Sequence, residues 1–579
     1  MKIISPCIIL LATMAAISGA GCSATSAGSA ASSLAQATLA SNTRAIAAPY
    51  NQPSTTTTTR SFYVDCTQAS AGDGTETSPW NNLGAANANV YQPGDTIYFK
   101  RGTTCLGMFS PTGSGTATAP ITVTAYGGGE LPVIDGGTAN NAAMYLTNQS
   151  YWTIEDLALR GGMNWGLVAK ALNNVNVYGL TIQNVVASGV TSVAKQRALT
   201  GEIGLLADGA DNATINDVNI SNVSVGDTKA GEGIFIKAGP HGVYYGAKGQ
   251  NISVTNSKVS NVYGDGLLVT DAQNVTISHN IVTQSGECPD CTGSTPGALW
   301  VWNSVNVEIS WNESYANTSW AGDGGGIDID YLNRNVTVEQ NYIHDNKGYC
   351  VSVFGAGKQV TYRSIVRFNV CSNNAAMPST TQKGDFLVTT WDGGSLNGVQ
   401  IYNNTSYWTA QQANDYELTA GAAKFSGTLR NFFANNMIYT PLQHPYLINA
   451  PAAVTADHNL YYSPVATDYT FLYKGTVWNS FADYQNGSGQ DAHSVLADPL
   501  LGDPAYDVDH VWPKDQLRPQ HGSPAIGVGA DVCAGYSPNV CSMGTVDFFD
   551  KPLSTSSLWI GAIQEKYDQQ SANGAAHSN

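Results

Sequence analysis

The chain has 579 residues, 60 of them Gly, with only 12% charged residues and a formal net charge of −17. This composition suits tight turns and strands rather than helix bundles, and the acidic balance argues against a nucleic-acid partner. It also makes a highly anionic substrate less obvious, unless local Lys residues or a bound cation compensate.

Residues 1–22 read as an export signal. Lys2 precedes an apolar run over Ile8–Ile17, followed by small residues to Cys22. The run is too short for a comfortable membrane span, and no later segment is long and apolar enough to cross a bilayer. Gly19-Ala-Gly-Cys22 resembles a lipoprotein site, so lipid anchoring at Cys22 stands beside ordinary cleavage. A secreted or cell-surface monomer is expected. Residues 23–60 are rich in Ala, Ser and Thr and read as a tether that cannot bury a core. Residues 61–500 are predicted to form a solenoid, with an amino-terminal cap among its first coils. Residues 501–567 read as a closing segment and 568–579 as a frayed tail.

The solenoid is predicted from a repeat. Short apolar strands begin at Gly166, Gly204, Gly233, Gly266, Ala298, Gly326 and Gly348, 22–38 residues apart. Between them lie strands such as Asn274-Val-Thr-Ile-Ser-His-Asn280 and Asn306-Val-Glu-Ile-Ser-Trp-Asn312. Strands at this period, joined by connections too long for hairpins, predict parallel pairing and an all-β, right-handed parallel β-helix. The Asn residues at the turns can adopt left-handed conformations and ladder through their amides.

Strand alternation then assigns faces. Ile327 and Ile329 point inward, so Asp328 and Asp330 point to water. One outward column is predicted as Val168, Leu206, Phe235, Leu268, Trp300, Asp328, Cys350. Its neighbour is predicted as Lys170, Asp208, Lys237, Thr270, Trp302, Asp330, Ser352. Eight Cys follow the export segment, an even count that fits an oxidising compartment. Sequence does not settle their connectivity. The expected pairs are Cys66–Cys105, Cys288–Cys291, Cys350–Cys371 and Cys533–Cys541, with a redox or metal half-site as the alternative for Cys288-Pro-Asp-Cys291.

These features together resemble the superfamily of right-handed parallel β-helix proteins that includes pectate lyases and related polysaccharide-active enzymes. The resemblance covers roughly residues 61–565. It includes Phe62-Tyr-Val-Asp65, Pro93-Gly-Asp95, Pro132-Val-Ile-Asp-Gly136, Tyr342-Ile-His-Asp-Asn346 and Gly522-Ser-Pro-Ala-Ile526. Such motifs are specific for fold and weak for activity. The paired Asp of polygalacturonase-like hydrolases is here a single one, in Gly264-Asp-Gly266, and their Gly-His-Gly is absent.

Asp328 and Asp330 are the strongest catalytic candidates. Residues i and i+2 of a strand lie about 6.5–7 Å apart at Cα, and inverting glycosidases separate their carboxylates by about 6.5–9.5 Å. A solvated pair or a Ca²⁺ site is the alternative; no metal ligand set is otherwise assigned. Asp265 and Asp323 border the same face, where capping of the turns is the competing role. His344 is a candidate proton shuttle and Asp345 a candidate substrate contact. Trp300 and Trp302 offer a platform for sugar rings. Lys170 and Lys237 are candidate carboxylate binders or plain ion-pair partners of Asp208, and Lys237 is a candidate lyase base. The expected function is a secreted glycoside hydrolase acting on an extended polysaccharide. The alternatives are a Ca²⁺-dependent polysaccharide lyase and a non-catalytic glycan-binding adhesin.

Overall fold

The computed structural model describes residues 59–191, 200–207, 212–228, 231–240, 248–288, 296–319, 323–376, 384–408, 416–502, 516–554 and 556–565. The export segment with Cys22, most of the 23–60 tether, Asp208, Cys291 and the 568–579 tail lie outside them.

Among the described residues the strands form three sheets, of 13, 14 and 14 strands, and most coils add one strand to each. One coil runs through Leu299–Trp302, Val305–Ser310 and Glu313–Tyr315 before returning to the first sheet at Ile327–Ile329. Successive coils pair in parallel, Leu299 on Ile327 and Val301 on Ile329. One antiparallel hairpin, Thr470–Tyr473 with Thr476–Trp478, ends the first sheet. The inward residues of all three sheets, Ile327, Ile329, Val336, Val338 and Ile343 among them, form one continuous core. At its amino-terminal end a short helix, Leu83–Ala88, is capped by Asn82 and buries Leu83 and Ala86 in that core. No described helix is long and apolar enough to cross a membrane.

The turn between the second and third sheets shows why Asn recurs. Asn280, Asn312, Asn341, Asn369, Asn404, Asn436 and Asn459 stack in one buried column. Each side-chain amide donates to the next side-chain carbonyl at 2.9–3.3 Å. The left-handed residue is the one before each ladder Asn: His279, Trp311, Gln340, Phe368, Asn403, Asn435 and His458 all have φ between 51° and 58°. The ladder Asn therefore serves by its amide, while its neighbour takes the turn. A second ladder, Ser285, Asn317, Asn346 and Asn374, supports the return to the first sheet.

Three predicted disulfides are present: Cys66–Cys105, Cys350–Cys371 and Cys533–Cys541. Cys288 is also disulfide-bonded.

Two rungs of the predicted outward columns are displaced by two residues. Gly204, not Leu206, lies between Val168 and Phe235. Leu206 stands between Lys170 and Lys237, where Asp208 was expected. Ser352, not Cys350, lies beside Asp328. A two-residue slip keeps the face but changes the neighbour. Cys350 precedes its strand and turns into the core to meet Cys371.

The solenoid interior is not wholly apolar. Asp385 and Glu417 are 0% and 2% exposed. Ser406 Oγ lies 2.5 Å from Asp385 Oδ2 and 2.9 Å from Glu417 Oε2. One hydroxyl hydrogen cannot serve both. Trp408 Nε1 also donates to Asp385 Oδ2, so Asp385 is the acceptor and Glu417 keeps its proton. Burial and the nearby Asp385 push the Glu417 carboxyl well above its usual range. A group with a raised folded pKa adds stability below its unfolded pKa and loses it as pH rises. Glu417→Gln is therefore expected to raise Tm, by a margin that grows from pH 5 to pH 8. A Tm that falls, or a margin independent of pH, would contradict this proton assignment.

Candidate functional site

The site lies on the outer face of the first sheet. Asp328 faces outward between Trp300 of the preceding coil and Ser352 of the next. Asp330 follows the same strand. Its backbone N–H still donates to Val301 O at 3.1 Å, which extends the strand pairing to the level of Trp302. The two carboxylates thus share a face, with Ile327 and Ile329 fully buried behind them.

Asp328 departs from expectation in its burial. It was predicted to face water, yet it is only 9% exposed. Ser352 Oγ donates to its Oδ1 at 2.5 Å. Burial is the main cause that pushes its carboxyl well above the ordinary range; the charge of Asp330 adds to this, the Ser352 bond opposes it, and Asp323 and Asp265 add further. These influences favour the protonated form of Asp328. Asp330 is more open, and its Oδ1 accepts the Tyr331 backbone N–H at 2.8 Å. Two like groups held in different environments are suited to carry different protonation states.

Aromatic side chains surround the pair. Trp302 meets Tyr331 edge-on at 5.7 Å, Tyr331 meets Trp391 at 5.7 Å, and Trp391 meets Phe354 at 5.3 Å. Trp391 is 42% exposed and offers an open ring face. Tyr349 is buried beside Phe354, and its hydroxyl is pushed up by burial, then by the charges of Asp323 and Asp328. Its ring lies so close to Gly325 that a Cβ there would come within 2.0 Å of it. Any larger residue at 325 would displace Tyr349 from the acid cluster. The predicted Trp platform is corrected in part: Trp300 is half-buried and Trp302 is 8% exposed. Both point away from the core, but the open ring belongs to Trp391.

The other predicted residues divide. Asp265 is 1% exposed. Its Oδ1 accepts the Gly297 N–H at 2.8 Å, and its own N–H donates to Glu232 Oε2 at 2.7 Å. It ties together the turns beneath the site. Asp323 is half-buried at the start of the turn into Ile327–Ile329. His344 lies on the third sheet, wholly buried, between the rings of Tyr315 and Tyr342 at 4.9 Å and 4.1 Å. Its Nδ1 meets Asp345 at 2.7 Å and its Nε2 meets Glu313 at 3.2 Å. Burial alone would lower its pKa, but the two carboxylates outweigh this and raise it. Enclosed in this way, His344 and Asp345 form a unit of the third sheet. Lys170 and Lys237 share the Trp302 column. At about 4.8 Å per coil they stand about 24 Å and 14 Å from Asp330. Lys170 Nζ lies 5.6 Å from the centre of the Tyr145 ring.

Sequence reasoning passed over a second ionisable pair at the rim. Lys248 donates to Asn303 O, directly after Trp302. Burial lowers its pKa to about 8. Asp271 accepts from Asn303 Nδ2 at 2.6 Å, and burial raises its pKa to about 6. The two are 23 positions apart in different turns, so no local motif marks them.

Apolar residues continue the outer face. Val168, Phe235 and Leu268 pack with Ala142 and Trp165 in a separate cluster joined by Trp300. This part of the outward column is covered rather than open to water.

Residues 133–409 match the family model described as a right handed beta helix region. Together with the three parallel sheets, this makes the chain a right-handed parallel β-helix. No curated protein matches the sequence. Among solved structures, a GH136 lacto-N-biosidase from Eubacterium ramulus is similar over 63% of this chain and 68% of its own, at 20% identity and TM-score 0.50. The pectate lyase Pel9A aligns over 88% of this chain and 96% of its own, at 15% identity and TM-score 0.38. An alginate lyase from Paenibacillus sp. str. FPU-7 aligns over 54% and 94%, at 16% identity and TM-score 0.28. At these identities the likeness is one of fold.

Proposed function

We propose that the protein is an extracellular carbohydrate-active enzyme that hydrolyses a glycosidic bond at Asp328 and Asp330. The observation that carries this reading is the unequal environment of two carboxyls on one strand face. Asp328, buried and protonated, donates its proton to the glycosidic oxygen as the bond to the anomeric carbon breaks. Asp330, ionised, takes a proton from the water whose oxygen attacks that carbon. The i, i+2 spacing, about 6.5–7 Å at Cα, supports inversion of the anomeric centre. Trp391 and Tyr331 supply apolar faces for neighbouring sugar rings. The solvent-facing solenoid side suits an extended polymer, and the disulfides suit an oxidising compartment.

A second reading rests on Lys248. An amine with a pKa of about 8 can abstract the proton beside a uronate carboxylate, and a Ca²⁺ ion, if held by Asp328 and Asp330, would neutralise that carboxylate. This lyase reading moves the base from Lys237 to Lys248.

The two are separated by products. On a panel of plant, algal and microbial polysaccharides, hydrolysis yields new reducing ends without the ultraviolet absorbance of an unsaturated uronate, and chelators leave the rate unchanged. Absorbing products together with chelator-sensitive turnover would replace hydrolysis by elimination. Trp391→Ala is expected to raise KM more than it lowers kcat, because it removes a platform and no proton carrier.

A further inference from the structure

Far from the groove, at the turn between the second and third sheets of the last coils, three side chains converge. Val454–Asp457 ends a strand of the second sheet, and His458 follows in a left-handed turn. One coil later, His493 precedes Val495, which pairs with Leu460. His458 and His493 thus occupy equivalent rungs, with rings stacked at 4.8 Å and 19°. Asp457 Oδ2 lies 2.8 Å from His493 Nδ1 and 3.3 Å from His458 Nδ1. The other carboxylate oxygen, Oδ1, accepts both backbone N–H groups, from His493 at 2.8 Å and His458 at 3.0 Å. The carboxylate is therefore oriented by the main chain, and its other oxygen, Oδ2, faces both imidazole Nδ1 atoms, hydrogen-bonded to that of His493.

We infer that Asp457, His458 and His493 form a binding site for a borderline divalent cation, of which Zn²⁺ is the best fit. Two imidazoles and one carboxylate are a common Zn²⁺ donor set. With bonds of about 2.0–2.1 Å, tetrahedral ligands stand about 3.3–3.4 Å apart; Asp457 Oδ2 stands 3.3 Å from one imidazole nitrogen and 2.8 Å from the other, and all three donor atoms lie within 4.8 Å of one another. Side-chain exposures of 37%, 25% and 67% leave a path for the ion and a fourth position for water. An ion here would join the last two coils, beside the place where the closing segment begins. The site is independent of the proposed catalytic groove.

The test is calorimetric titration of Zn²⁺ into the untagged, chelator-stripped full chain. One saturable site is expected. His493→Ala, at the most exposed ligand, is expected to weaken it by about 100-fold or more, since changes outside the ligand shell alone cost about 10–100-fold. His444→Ala, which breaks a separate His444–Asp468 pair of 2.8 Å, should leave it unchanged. Zn²⁺ should raise Tm of the wild type and of His444→Ala, but not of His493→Ala. Absence of saturable uptake, or uptake that survives His493→Ala, would overturn the site.

Discussion

Asp328→Asn is expected to lower kcat by about 10²–10⁴-fold, the usual cost of losing a general acid. The fold should remain intact, because the side chain points away from the core and the amide keeps its volume. The Ser352 hydroxyl can still donate to the amide oxygen. Stability should rise at neutral pH. The raised pKa of Asp328 means that folding at neutral pH must hold a proton that the unfolded chain releases, so its contribution fades as pH climbs. The same sign governs activity: turnover should fall as pH rises through the Asp328 pKa. Asp330→Asn should cost a similar factor but remove the acidic limb of the pH profile, where the base must ionise. Wild-type turnover in both variants on a confirmed substrate would refute the assignment and turn attention to Lys248 and Asp271.

The second large effect concerns the fold. Asn341→Ala is expected to destabilise the central coils by about 3–5 kcal/mol, since each buried polar group left unpaired costs about 1–3 kcal/mol. Asn341 is wholly buried. Its side-chain amide donates to Ile309 O, Glu339 O and Asn369 Oδ1. Its carbonyl accepts both the backbone and the side-chain amide of Asn312. The exposed ladder offers the control: Asn335 donates to Asn306 at 3.0 Å in contact with solvent, and Asn335→Gly, which keeps its left-handed backbone at φ 57°, should change stability by no more than about 0.5 kcal/mol. Denaturant midpoints measured side by side give the comparison. Equal midpoints for the two variants would show that the buried ladder is not what holds the turns.

The solenoid was legible because its cause is local and repeated. Ile327 and Ile329 must alternate inward, so Asp328 and Asp330 must share the other face, and both follow from strand geometry alone. The amide ladder was legible for the same reason, from an Asn at each turn. The rung register was not. Gly204 and Gly348 do not occupy the rung positions of Gly233 and Gly266, because the loops returning to the first sheet differ in length. Aligning on glycine therefore put Leu206 and Cys350 where Gly204 and Ser352 stand. Burial of Asp328 was also hidden, since it arises between coils, where Trp300 and Ser352 flank it. His344 shows the converse. It was a candidate proton shuttle from sequence, whereas two tyrosine rings enclose it. Trp391, the most open ring of the site, lies in a turn with no periodic pattern to announce it.

The most direct test is the origin of oxygen in the products. Polysaccharide digested in isotopically heavy water should release fragments that each carry one solvent oxygen at the new reducing end, and Asp328→Asn and Asp330→Asn should abolish that incorporation. Fragments that are unsaturated and carry no solvent oxygen, formed by the wild type, would contradict hydrolysis at this pair.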